Sequence, residues 1–127
     1  MIASLPYKKI LKNAAAAFFI YGTWAYGAND TGAVTSAFTQ GSMSFAITVI
    51  LAMYLEIIHR IAGNFIQLTG YVLAWFAFIV GTQAAVHYTV GTEHIFLTLL
   101  PGMIIGSIYV VGYLYHLKEG VKDETGF

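Results

Sequence analysis

The stretch SAFTQGSMSFAITVILAMYLEIIH, Ser36 to His59, holds a single acidic side chain, Glu56, and no Lys or Arg. An α-helix needs about 20 mostly apolar residues to cross a bilayer, so this stretch reads as a membrane span. The rest of the chain extends the theme. Of 127 residues, 58% are hydrophobic and 9% charged, whereas a soluble domain carries about 25% charged residues. Residues 10–28, 65–87 and 95–117 have the same apolar character as residues 36–59, and the second span has room to begin near Ala33 and tilt. The expected fold is an all-α integral membrane protein: one domain, residues 1–127, with four transmembrane helices.

The breaks between spans carry turn residues: Asn29-Asp30-Thr31-Gly32, Gly63-Asn64 and Gly91-Thr92. The short Arg60–Asn64 connection forces spans two and three into an antiparallel hairpin. Thr92 followed by Glu93 reads as a helix start, with an acid near the positive end of the dipole. Pro6 precedes the first span. Pro101 lies inside the fourth, where it removes a backbone donor that neighbouring helices must replace.

Every Lys and Arg falls on one side of this topology. Lys8, Lys9 and Lys12 precede span one, Arg60 sits between two and three, and Lys118 and Lys122 follow span four. Basic residues mark the cytoplasmic side, so both termini are expected to be cytoplasmic, in a bacterial inner membrane. Lysines ahead of an apolar segment also suit a signal peptide, but no small-x-small cleavage site follows a short core, and the segment is expected to be retained. Net charge is zero and cysteine is absent. Nucleic acid is therefore not an expected partner, and thiol chemistry and thiolate metal sites are excluded.

A phrase recurs: FIYGTWA at Phe19–Ala25 and FIVGTQA at Phe78–Ala84. Laying residues 15–60 on 74–119 gives 10 identities in 46 positions. Spans one and three run in the same direction, so a duplication would make two parallel-repeat hairpins. Small residues are the usual contact between helices in lipid. Gly22-Thr23 and Gly81-Thr82 are thus expected to form a packing seam, as are Gly70 and Ala74 on span three and Gly102 and Gly106 on span four.

Span two carries Ala37, Gly41, Ser44, Thr48 and Ala52 at helical spacing, leading toward Glu56 and His59. Such a face suits helix packing or a polar path, since polar groups on a span look inward. Gln40, Ser44, Thr48, Glu56, His59, Arg60 and Tyr109 form the candidate substrate or proton path. Glu56 stands four residues before Arg60, the favoured orientation for an intrahelical pair; an intramembrane carboxylate is also a carrier of protons or cations. His59 and His116 fall at the cytoplasmic ends of spans, His87 and His94 at the outer ends. Paired histidines can hold haem, and His87, Glu93 and His94 can hold a metal, but span-end positions and loop spacing favour neither, so no cofactor or metal is expected.

Nine tyrosines and two tryptophans are present. Tyr7, Tyr54, Tyr113, Tyr115, Tyr26 and Tyr88 fit the interface belts, while Tyr21, Trp24, Trp75 and Tyr109 lie deeper, in the core or along a lipid groove. Phosphate loops, nucleophile elbows and nucleotide fingerprints are missing, so an enzyme is not expected. The leading functional expectation is a small transporter or flippase for a lipid-linked or small amphipathic solute, active as a homo-oligomer because four helices enclose little volume. Four-span lipid-glycan flippases share this size and topology, an analogy of architecture only. The alternatives are an accessory subunit bound to partner membrane subunits, and a haem or quinone anchor.

Overall fold

A computed structural model of the protein describes residues 5–125, with side chains for residues 5–115. The side chains of His116, Lys118 and Lys122 lie outside the described residues. Four helices follow one another: α1 (Tyr7–Ala28), α2 (Ala33–Ile61), α3 (Phe65–Val90) and α4 (Ile95–Thr125). There is no strand among the described residues. Three segments are long and apolar enough to cross a membrane: α2, α3 and residues Ile95–Tyr115 of α4. At 1.5 Å per residue, α2 extends about 43 Å. The first helix, 22 residues, is long enough for a span but opens with Lys8, Lys9 and Lys12, which dilute its apolar content.

The helix ends follow the turn residues. Gly32 takes φ 63° ahead of α2, and Gly91 takes φ 79° after α3, a conformation that costs glycine little. At the end of α3, the Thr92 N–H bonds the His87 carbonyl and the Gly91 N–H bonds that of Tyr88, the paired closure of a Schellman motif. Asn64 caps α3 by accepting from the Gln67 N–H at 2.8 Å, and the Gln67 side chain reaches back to the Gly63 N–H at 2.8 Å, a variant of the capping box. The last helix begins at Ile95 rather than at Thr92, whose hydroxyl is used elsewhere.

The bundle is apolar outside. Ile66 is 82% exposed and Ile108 69%, which suits lipid contact. Inside, Ile58, Leu68 and Val72 form an apolar cluster beside the α2–α3 turn, while Asn29, Ser36, Gln40, His87, Thr92 and Thr98 are buried toward the opposite end.

The closest helix pair is α1 with α2. A Cβ placed on Gly22 would meet the Ala37 carbonyl oxygen at 3.1 Å, and one on Gly41 would meet the Phe18 carbonyl oxygen at 2.9 Å. These two backbones touch because neither glycine carries a side chain to hold them apart. Pro101 lies inside α4 as expected, and the donor it lacks is replaced from α1. The carbonyl freed four residues earlier belongs to Leu97, and the Trp24 indole N–H donates to it at 2.8 Å. Trp24 thus ties α1 to α4, and among the described residues it does not line the interior cavity.

Candidate functional site

Two features meet between the helices: a buried polar network at one end and a long cavity leading away from it.

The network begins where α2 faces α3. Oε1 of Gln40 can only accept, so the contact with His87 Nε2 at 2.7 Å places the ring proton on Nε2. In the neutral ring Nδ1 accepts from the Thr92 hydroxyl, 2.6 Å away, and Thr92 accepts from Ser36 at 3.2 Å. On its other side Gln40 donates to Gln83 Oε1 at 3.0 Å and to the Ser44 hydroxyl at 3.5 Å. The ring is held by helices α2 and α3 and by the loop before α4, with both nitrogens engaged. A second set ties α1 to α4. Asn29 donates to Thr98 at 2.7 Å and to the Ala25 carbonyl at 2.8 Å, while its Oδ1 accepts from the His94 N–H at 2.8 Å. No buried side-chain nitrogen or oxygen among the described residues lacks a partner, as groups withdrawn from water require.

Above this network the two loops are clamped by Glu93. Its carboxylate accepts from the backbone N–H of Asp30 at 2.9 Å and of Thr31 at 3.3 Å, just before α2. Those hydrogen bonds, with a smaller contribution from nearby His94, hold its carboxyl below the usual carboxylate range. Asp30, Glu93 and His94 come together on this exposed surface. His87, which the sequence grouped with Glu93 and His94 as metal ligands, is instead buried with both ring nitrogens engaged. For the same reason it cannot bind haem iron as it stands, and exposed His59 sits on the far end of α2.

A cavity of about 290 Å³ lies between all four helices. Its walls are mainly apolar and aromatic, with Tyr21 from α1, Trp75 and Phe76 from α3, and Tyr109 from α4. Trp75 stacks on Tyr54 with ring centroids 4.6 Å apart. From Gln40 to Leu55 the lining follows α2 for roughly 22 Å, so the space is long and slim. Gln40, Ser44, Thr48 and Gln83 line it as well. No charged side chain lines it among the described residues.

Of the residues proposed for a path, the structure brings Gln40, Ser44, Thr48 and Tyr109 to the cavity. Thr48 also bonds back to the Ser44 carbonyl at 2.7 Å. Glu56 is not in the lining. Its carboxylate pairs with Arg60 at 3.0 Å, with the two side chains 32% and 45% exposed, and His59 is exposed beside them. The seam residues divide too. Gly22 packs on α2 rather than on α3, and Gly106 meets Phe76. Among the described residues nothing approaches Gly70 or Gly81 within 4 Å of a Cβ position, and Ala74 and Thr82 are exposed beside them, as Thr23 is on α1. Gly102 borders the open cavity. Gln83 and Asn29 were not singled out by sequence reasoning; the usable signal was a polar amide inside an apolar helix for the first and one at a helix end for the second.

Comparison of the chain with protein-family models, with curated proteins and with solved structures gives no match.

Proposed function

We propose that this protein is a four-span, non-enzymatic membrane protein with both termini cytoplasmic, which takes a small amphipathic solute into its interhelical cavity and passes it across or within the bilayer. The cavity carries this reading: apolar walls, polar groups gathered toward one end, and a slim form suited to a chain-bearing molecule. The one-sided distribution of Lys and Arg supports the orientation. It places the His87 network on the outer side, and α1 then counts as the remaining span despite its lysines, which would lie in the cytoplasmic interface.

The deciding experiment is native mass spectrometry of the protein released gently from its own membrane. A defined amphiphile should be retained. Gly102→Leu, which fills the cavity where a Cβ meets nothing within 4 Å, should lose it while the fold persists. Wild-type protein that retains no small molecule would overturn the reading.

A second reading is favoured by the outer face of α3. Gly70, Ala74, Ala77 and Gly81 form a small-residue stripe that points away from the bundle, a surface suited to another helix. It supports a homo-oligomer or a place as accessory subunit in a larger membrane complex. Stoichiometric association with different chains, without a retained ligand, would establish the accessory role.

A further inference from the structure

Hydrogen-bond capacity within the cavity restricts what can occupy it. Gln40 is fully used: Oε1 accepts from His87, and its amide hydrogens go to Gln83 and Ser44. Among the described residues Gln83 is engaged only through Oε1, so its amide N–H₂ group has two donors to spare at the cavity wall. Ser44 receives from Gln40 and retains its own O–H to donate. The Thr48 hydroxyl spends its proton on the Ser44 carbonyl. Near the two glutamines, then, the unpaired N–H and O–H groups are those of Gln83 and Ser44; lone pairs also remain on Thr48 and the amide oxygens, but a half-used acceptor is better tolerated away from water than an unpaired donor. Charged partners for a head group are missing from the lining among the described residues, and withdrawing an unpaired ion from water is prohibitive. A sugar would need many more polar partners than this wall offers, since each unmatched hydroxyl loses its hydration without replacement.

We infer that the cavity binds a neutral amphiphile whose polar end is a hydrogen-bond-accepting carbonyl, such as a quinone or fatty ester, with Gln83 Nε2 and the Ser44 hydroxyl donating to that oxygen. The apolar chain lies along Ile47, Trp75 and Phe76 toward Tyr109. The inference rests on the cavity-binding reading and narrows its solute class: a phosphate-linked lipid does not fit. His87 acts as a positioning residue. Its Nε2–H holds Gln40 Oε1, which directs the Gln40 amide hydrogens toward Gln83 Oε1 and leaves the Gln83 donors turned to the ligand.

The test uses the full-length protein in phosphatidylcholine vesicles, titrated with decyl-benzoquinone while tryptophan emission is followed. Quinones quench indole, and Trp75 lines the cavity. Saturable quenching above the linear background is expected, displaced by methyl decanoate but not by decyl phosphate or decylammonium. Gln83→Leu should weaken binding roughly tenfold, the usual scale of one hydrogen bond. Gln83→Met keeps a weak acceptor for Gln40 and removes the spare donors without adding charge, and Ser44→Ala removes the second donor with little change in shape. Both should weaken binding while helicity and melting are retained. Unchanged affinity in folded Ser44→Ala and Gln83→Met would overturn the inference, as would preferential displacement by either charged amphiphile. Those results leave cavity binding intact, whereas failure of all four compounds to bind would remove that reading as well.

Discussion

The two hairpins share a phrase and use it differently. In FIYGTWA, Gly22 faces Ala37 and Gly41 of α2, and the backbones meet. In FIVGTQA, Gly81 faces outward and nothing approaches it. The helix that follows differs as well. Fifty-nine residues beyond Ala37 and Gly41 stand Phe96 and Leu100, so α4 does not present the small surface that α2 does. Other repeated positions remain equivalent: Gly32 and Gly91 both take positive φ between helices, and Tyr54 and Tyr113 both line the cavity. A glycine makes a seam only where another backbone comes up against it, as that of Ala37 does at Gly22 and that of Phe18 at Gly41. One hairpin closes into a seam, and the other leaves room for a cavity.

The largest expected effect breaks the closed hairpin. Gly41→Leu drives a side chain into the Phe18 backbone, which must move, so the cost should exceed about 3 kcal/mol, the upper range of overpacking. Loss of the folded species in a detergent melt would show it. Next comes the network that joins the hairpins. In His87→Leu, Gln40 Oε1 and the Thr92 hydroxyl each lose a buried partner, at about 1–3 kcal/mol apiece; retention of full stability would mean that the network contributes nothing.

Trp24→Phe should cost about 1 kcal/mol by leaving the Leu97 carbonyl without its donor. The same change made with Pro101→Ala should cost less, because alanine in place of the proline supplies the helical N–H. A double-mutant cycle measures that coupling, and its absence would detach Trp24 from the proline.

The Glu93 clamp predicts a pH dependence. Its folded-state pKa is lowered, first by the Asp30 and Thr31 N–H groups, so the carboxylate contributes stability above the ordinary carboxylate pKa of about 4.3. That contribution is lost as pH falls through the lowered value. The melting-temperature gap between wild type and Glu93→Gln should therefore narrow on acidification; a gap that persists at low pH would exclude the linkage. Gly81→Ala should be the mildest change, within about 0.5 kcal/mol. A loss as large as that of Gly22→Ala would mean that α3 is packed against something at this position, and would sharpen interest in its outer stripe.

Local chemistry made much of this legible in advance. The apolar lengths and the Asn29–Gly32, Gly63–Asn64 and Gly91–Thr92 breaks specify four helices because hydropathy and turn residues act over a few neighbouring positions. The Glu56–Arg60 pair was legible for the same reason, being one helical turn apart. Pro101 signalled a freed carbonyl, since proline lacks an N–H wherever it occurs. By itself, the sequence determined the four helices, the turns between them and the polar face of α2.

Tertiary structure decided the partners. Gln40 meets Gln83 43 residues away and His87 47 away, and Trp24 reaches Leu97 across 73. No periodicity within one helix encodes such a pairing, because it depends on the rotation of each helix about its axis. That rotation is set by which small and large residues oppose one another across the bundle. It turned Gly22 inward and Gly81 outward, engaged both nitrogens of His87, left Glu56 beside Arg60 rather than in the cavity, and placed Gln83 at the cavity wall with donors to spare.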